Sequence, residues 1–247
     1  MFDFNFLKRK EYITGAFDFL STDIHSHILP GIDDGSKSVD ESIKLIEGLY
    51  QLGFKKLVAT PHIHDIFYRN SNETIKPAFE AVVFELNKTD LDVELAYSAE
   101  YYADEHFEEK VNKDELIPLD KNRVLIETSF VAYDQRVEEI VFNLTTRGYK
   151  PILAHPERYT YLRDNLRVFK KLVDLGCELQ LNINSLGGYY GAEVEALAKE
   201  LMDRKLVSYL GTDLHNERQL RFLKGISKKG RLMKQLRQYK WKNHLLN

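Results

Sequence analysis

Asp23-Ile24-His25-Ser26-His27 ends the first strand-like run of this chain, at the point where apolar residues give way to polar ones. In an extended strand alternate residues share a face, so Asp23, His25 and His27 are expected to point the same way. Two imidazoles beside a carboxylate suit a transition metal; a pair of hydrogen-bonded histidines is the structural alternative. The rest of the chain repeats the pattern. Of the 8 histidines, five lie at or just after the end of a strand-like run. Leu57-Val58-Ala59-Thr60 leads to His62, Pro151-Ile152-Leu153-Ala154 to His155, and Val207 to Thr212 leads to Asp213-Leu214-His215. Acids behave alike, with Glu100 after the run 93–99 and Glu127 after Val124-Leu125-Ile126. Chance would scatter such residues over helix faces and loops.

Strand-like runs near 22–27, 56–60, 92–99, 122–128, 150–154, 177–183 and 206–212 alternate with helical segments. In those segments apolar residues recur at three- and four-residue spacing, as in Ile43, Ile46, Leu49 and Tyr50, or Val137, Ile140, Val141 and Leu144. Asp40 and Asp134 precede such runs as candidate caps, and Gly53, Gly148 and Gly176 stand where helices should stop. Regular alternation implies a parallel sheet with right-handed crossovers. Seven units in one α/β domain predict a closed, TIM-like (β/α)7 barrel, with an open sheet as the alternative; the active site of such a barrel is built at the carboxyl ends of its strands. The candidate ligands occupy those ends, and Asp33-Asp34-Gly35 adds carboxylates to the same rim.

A chain of 247 residues with 43% hydrophobic content can bury a full core. The expected division is a lead-in at 1–21 and a barrel at 22–247, the latter including a basic carboxyl-terminal helix at about 226–243. Cys177 is the single cysteine, so no internal disulfide can form. No apolar run approaches the ~20 residues of a membrane span, and the acidic residues among the first twenty argue against a signal peptide. A cytoplasmic location is expected. Net charge is −3, but Arg218 to Asn247 carries +10, leaving −13 on the remainder. Leu232, Leu236 and Tyr239 fit an amphipathic helix docked on the domain with its lysines in water. An acidic partner or anionic membrane surface is the alternative reading of the tail. No nucleic-acid motif accompanies the charge, so no stable nucleic-acid complex is expected.

Taken together, Asp23 to Gly35, Ala59-Thr60-Pro61-His62, Glu100, Glu127, His155-Pro156-Glu157-Arg158-Tyr159 and Asp213-Leu214-His215-Asn216 resemble a known family. They look like the metal-dependent bacterial tyrosine-protein phosphatases of the polymerase and histidinol phosphatase (PHP) superfamily, often associated with capsule or exopolysaccharide synthesis. The likeness runs from about residue 22 to 216, with the motifs in order. It implies a distorted seven-stranded barrel with three metal ions, manganese first, iron or zinc as alternatives. By this resemblance His25, His27, Glu100 and Asp213 hold one ion. Glu100 bridges to a second held also by Glu127 and His155, and Asp34, His62 and His215 hold the third. The substrate it implies is phosphotyrosine in a protein, the tyrosine-rich tail of a bacterial kinase controlling exopolysaccharide assembly, with membrane contact only through that partner.

Clustered divalent ions lower the pKa of bound water and neutralise an in-line transition state, so the implied chemistry is attack on phosphorus by a metal-held hydroxide. Arg158 is expected to fork onto phosphoryl oxygens, as the family's arginine does, and Arg218 or Arg221 is the candidate for a second basic group. A cysteine-dependent mechanism needs CxxxxxR, yet Ile183 stands six residues after Cys177. His64 reads as a loop histidine, with substrate contact the alternative, and Asn182, Asn184 and Ser185 as groups that satisfy a strand end, with binding of a phosphate oxygen the alternative. A small-substrate phosphatase of the histidinol-phosphatase type is one alternative; a non-catalytic metal-binding partner module is another.

Overall fold

Parallel neighbours in a sheet need crossover connections, and the alternation of elements supplies them. The computed structural model describes residues 12–246, so residues 1–11 of the expected lead-in lie outside the described part. In order come β1 (Thr22–Ser26), α1 (Val39–Leu52), β2 (Lys56–Ala59), β3 (His62–Ile63), α2 (Asn72–Leu86), β4 (Glu94–Tyr97), β5 (Glu100–Tyr102) and α3 (Glu105–Asn112). There follow β6 (Arg123–Glu127), α4 (Arg136–Thr146), β7 (Lys150–Ala154), α5 (Arg167–Asp174), β8 (Glu178–Asn182), α6 (Ile183–Leu186), α7 (Ala192–Asp203), β9 (Tyr209–Gly211), α8 (Glu217–Ile226) and α9 (Gly230–Gln238).

Among the described residues every strand pairing is parallel, in two ladders ordered β1-β2-β4 and β3-β5-β6-β7-β8-β9. The two are halves of one barrel. Ala59 is in register with Tyr97 and His62 with Glu100, so β3 continues β2 across Thr60-Pro61 and β5 continues β4 across Ser98-Ala99. Counting each interrupted pair as one stave leaves seven, and the distortion lies in those two breaks. The run expected at 92–99 holds β4 alone, and Glu100, expected just after it, opens the second piece, β5. The seam between β9 and β1 closes just beyond the strand ends, where Asp213 N donates to His25 O (2.8 Å) and His27 N to Leu214 O (2.9 Å). Below it, the Asn243 side chain donates to Thr22 O and Leu210 O and accepts from Leu210 N, bridging the same two strands.

Strands buried on both faces explain the near-continuous apolar runs. Ile24, Val58, Leu125, Ile152, Ala154 and Tyr209 pack together inside the barrel, while Leu57, Ala59, Val124, Ile126, Leu153, Leu181 and Leu210 face outward to the helices. Val137, Ile140, Val141 and Leu144 form the buried stripe of α4. Some expectations at the element ends need correction. Ser38, not Asp40, caps α1 by accepting from Glu41 N, which puts Asp40 in the first turn where a carboxylate favours the helix dipole. Asp134 accepts from Arg136 N just ahead of α4. The carboxyl-terminal helix is shorter than 226–243: Ile226 ends α8, α9 spans Gly230–Gln238, and Tyr239 lies beyond it with extended backbone. Leu232 and Leu236 are buried as the amphipathic pattern requires, and Tyr239 bonds Val207 O. Within the described lead-in, Phe17 is buried and stacks on Phe54 at 5.8 Å.

Candidate metal centre

The carboxyl ends of β1, β6, β7 and β9, with the β3 and β5 continuations, deliver His25, His27, His62, Glu100, Glu127, His155, Asp213 and His215 to one place. Asp23 does not join them. A register shift on β1 between Asp23 and Ser26 accompanies the change, and the Asp23 carboxylate instead accepts from Thr212 N (2.9 Å) and its hydroxyl, tying β1 to the end of β9. Burial raises its pKa to about 6 against those hydrogen bonds. His155 and Asp213 both have left-handed backbones, φ +34° and +50°, unusual for residues with a Cβ and typical of places where function holds the chain. After His27 the chain turns back through Asp33-Asp34-Gly35 so closely that a Cβ at Gly35 would stand 2.0 Å from His27 O. The turn separates the two acids. Asp33 is buried and faces His27 Nδ1 at 2.8 Å; Asp34, half exposed, lies 3.5 Å from both His62 Nε2 and His215 Nε2.

The hydrogen bonds settle which ring nitrogens point inward. His25 Nδ1 faces Gln180 Oε1 at 2.8 Å, Gln180 Nε2 donates to Asn182 Oδ1 at 2.9 Å, and Asn182 Nδ2 donates to Asp213 Oδ2 at 2.6 Å. This relay runs towards a carboxylate, so His25 carries its proton on Nδ1, as does His27 against Asp33. Both Nε2 lone pairs are then left facing each other at 3.2 Å. Each also lies 3.2 Å from Glu100 Oε2 and 3.4 Å from Asp213 Oδ1. His62 Nδ1 is a third imidazole nitrogen at 3.2 Å from Glu100 Oε2, an oxygen with no hydrogen-bond partner. Lone pairs and carboxylate oxygens converging without protons to share are the signature of a cation site, and the imidazole and carboxylate donors fit manganese, iron or zinc.

Three groups of side chains among the described residues have ligand atoms close enough to share an ion: His25, His27, Glu100 and Asp213; His27, Asp34, His62 and His215; and His62, Glu100 and Glu127. His155 Nε2 is 2.9 Å from Glu100 Oε1 and 3.9 Å from Glu127 Oε2. His62 thus stands between two groups, one ring nitrogen towards each. With protons in place of a cation, burial presses His25 towards neutrality, but Glu100 and Asp213 outweigh it and raise its pKa to about 9. Burial likewise opposes ionisation of Glu100 and Asp213, yet the surrounding histidines hold both well below the usual carboxylate range.

Above this floor opens a cavity of about 490 Å³ lined by Asp34, His62, Glu127, His155, Asp213 and His215 below and by Phe67, Tyr68, Tyr102, Phe130 and Tyr190 on its walls. Arg158 reaches in from the turn after β7. Its guanidinium lies between the rings of Phe130 (4.4 Å) and Tyr190 (4.8 Å) and donates to Asp213 Oδ2 at 3.2 Å. Arg218 and Arg221 are not brought there. Both are exposed on α8, whose buried face carries Gln219, Leu220, Leu223 and Ile226; Arg221 pairs with Glu217 instead. Asn216 and Gln219 line the cavity in their place, Gln219 accepting from His215 N. His64 also lines it, packed on Tyr102 at 4.2 Å. Asn184 is buried and reaches Gln219 O at 3.4 Å. Cys177 is buried far from this chemistry in the packing of the apolar core, and burial pushes its thiol up to about 12.

Sequence reasoning put Asp33 on the rim without its partner His27, passed over Gln180 and Gln219, and favoured a strand-end role for Asn182. The available signal was the alternation of β8, in which Glu178, Gln180 and Asn182 share one face between Leu179 and Leu181. The aromatic walls left no pattern, since Phe67, Tyr102, Phe130 and Tyr190 come from four separate segments.

The class so defined is a barrel with a metal centre at its carboxyl rim. Residues 21–228 match the family model for capsular polysaccharide synthesis, CpsB/CapC, and the chain belongs to that family. It is 32% identical over 200 residues to the tyrosine-protein phosphatase CpsB of Streptococcus pneumoniae, covering 78% of this chain and 82% of that protein. It is 30% identical over 195 residues to the tyrosine-protein phosphatase YwqE of Bacillus subtilis, with 78% and 77% covered. A crystal structure from work on YwqE and CpsB, described as unique metal-dependent tyrosine phosphatases, superposes with a TM-score of 0.76 at 27% identity, covering 83% of this chain and 84% of that one. The phosphotriesterase homology protein of Escherichia coli, at 15% identity and a TM-score of 0.51, shares the fold.

Proposed function

We propose that this chain is a metal-dependent phosphomonoesterase acting on phosphotyrosine in proteins. The observation that carries the reading is Glu100 Oε2, ringed at 3.2 Å by nitrogens of His25, His27 and His62 and bonded by none of them. In the proposed assignment His25, His27, Glu100 and Asp213 hold one ion, Glu100, Glu127 and His155 a second, and Asp34, His62 and His215 a third, with manganese favoured. Ions held there would activate water as the nucleophile and neutralise charge on a phosphoryl group. Glu100 serves two of the proposed sites, because its oxygens face different imidazoles: Oε2 towards His25, His27 and His62, Oε1 towards His155.

The remaining work falls to the protein. Arg158 is fixed between two rings, so its fork is already oriented when a phosphate enters, and little ordering is left to be done on binding. Asp213 loses one of its neighbours if the guanidinium swings to the phosphate, but Asn182 Nδ2 still holds Oδ2 in place. The aromatic walls offer ring faces against which a phenyl group can pack. A phenolate leaves with a pKa near 10, so no strong acid need stand beside it.

The CpsB and CapC relatives support a substrate in the control of capsule or exopolysaccharide assembly, and we place it as a tyrosine kinase tail met in the cytoplasm. Among the described residues no helix is long and apolar enough to cross a membrane. The test is phosphate release from p-nitrophenyl phosphate, a phosphotyrosine peptide and histidinol phosphate by chelator-stripped protein, with manganese, iron or zinc restored in turn. Metal-restored hydrolysis of the first two is expected. Preference for histidinol phosphate would reassign the substrate, and tight metal binding without hydrolysis would make the barrel a binding module.

A further inference from the structure

Eight large apolar side chains stand exposed among the described residues, and four of them sit on the two loops that rim the cavity. Ile66 and Phe67, on the loop after β3, are 73% and 71% exposed; Phe130 and Val131, on the loop after β6, are 43% and 88% exposed. The other four, Ile13, Phe84, Phe142 and Leu245, are dispersed along the chain. Single exposed apolar groups need no explanation, whereas a concentration of them around one opening marks a contact surface.

These groups are held at the mouth. His64 and Tyr68 exchange two backbone hydrogen bonds of 2.9 Å, which pinches the first loop into a tight turn with Ile66 and Phe67 at its tip. The second loop is tied down by Tyr159 OH, which accepts from Thr128 N at 3.1 Å, by Tyr161 OH, which donates to Ser129 O at 2.7 Å, and by Val131 N, which donates to Ser129 Oγ. The charge of the cavity narrows what can dock. Among the described residues Arg158 is the one lysine or arginine in its lining, and that guanidinium is already between two rings and against Asp213, so an acidic segment beside the phosphorylated residue would find no free cation among them.

We propose that Ile66, Phe67, Phe130 and Val131 form a docking rim that receives apolar side chains flanking the phosphotyrosine of a protein substrate. This rests on the phosphatase reading, since a phosphotyrosine whose phosphate reaches the ligand floor leaves its own backbone and its neighbours at the mouth. Aryl phosphates lacking a peptide would use the floor and walls, Phe67 and Phe130 included, without reaching Ile66 and Val131.

The test uses metal-loaded full-length protein and two peptides containing phosphonomethyl-phenylalanine, a non-hydrolysable stand-in for phosphotyrosine, flanked by leucines in one and by serines in the other. Fluorescence anisotropy should show the leucine-flanked peptide binding about tenfold tighter, equivalent to about 1.4 kcal/mol. In the double variant Ile66→Ser/Val131→Ser that preference should vanish, with p-nitrophenyl phosphate hydrolysis unchanged. Equal affinity of the wild type for both peptides, or a preference that survives in the variant, overturns the proposal. So does a concentration-dependent dimer that the variant abolishes while peptide preference stays, because the rim would then belong to a second copy of the chain. Retained peptide preference without hydrolysis of p-nitrophenyl phosphate would sink the phosphatase reading and leave the rim standing.

Discussion

The two ends of the barrel are built from the same strands and treat their charges in opposite ways. At the amino end Arg123 opens β6, Glu178 opens β8 and Tyr209 opens β9. There Glu178 meets Lys242 at 2.6 Å, Arg123 at 3.4 Å and the Tyr209 hydroxyl at 2.9 Å, and Asp120 pairs with Arg123. Each of these charges has an opposite partner, and Lys242 brings the carboxyl-terminal segment to this end. At the carboxyl end imidazole nitrogens face one another and a buried glutamate oxygen has no hydrogen bond. An end that is satisfied by itself contributes stability; an end that is complete only with cations is the reactive one.

The comparison can be broken at either end, and the largest effect belongs to the ligands. His25→Ala or Asp213→Ala should lower phosphate release by about 10³-fold or more, the several kcal/mol expected of metal charge stabilisation, and lower the metal content measured by elemental analysis. Full activity in either variant would remove the assignment. Arg158→Ala should keep its metal and lose about 10²-fold in kcat, since it removes a preorganised charge that acts on the phosphoryl group. Metal loss in that variant would make the arginine a prop for Asp213 instead. Gln180→Ala leaves every ligand in place but frees the His25 ring, so metal affinity should fall about 10–100-fold in a competition titration with a chelator.

A pH effect separates the ends further. His25 has its pKa raised from 6.5 to about 9, since Glu100 and Asp213 outweigh burial. A raised histidine pKa contributes stability that is complete below 6.5 and lost as pH rises through 9. The chelated protein should therefore melt at progressively lower temperature across that window, while the metal-loaded protein, whose histidines are already neutral ligands, should not follow it. Parallel melting curves for the two forms would count against the cluster as a cation site. The smallest expected effect is at the amino end: Glu178→Gln should cost about 1–3 kcal/mol in denaturant unfolding with turnover per folded molecule unchanged. Impaired turnover there would mean that the two ends are coupled.

Much of this was legible in the chain because ligand chemistry and strand ends are local features. An apolar run that stops at His25, His27, Glu127, His155 or Asp213 announces both a strand and a rim residue, and its repetition with helical segments between implies a barrel. The breaks at Thr60-Pro61 and Ser98-Ala99 were not legible, since both flanking pieces keep the same register. Nor was the outward direction of Arg218 and Arg221: helical periodicity places them on one face of α8, but which face meets the cavity depends on how that helix packs.

From sequence alone came the identities and order of the metal-ligand candidates, the alternation of elements and the absence of a cysteine-dependent phosphate loop, all set by residue type and spacing. Tertiary structure alone decided that Asp33 orients His27, that His62 stands between two ligand groups, and that aromatic residues from four separate segments wall one cavity. The reason is physical: spacing specifies which way a side chain leaves its own strand or turn, whereas convergence of groups from separate strands depends on the register and closure of the whole barrel.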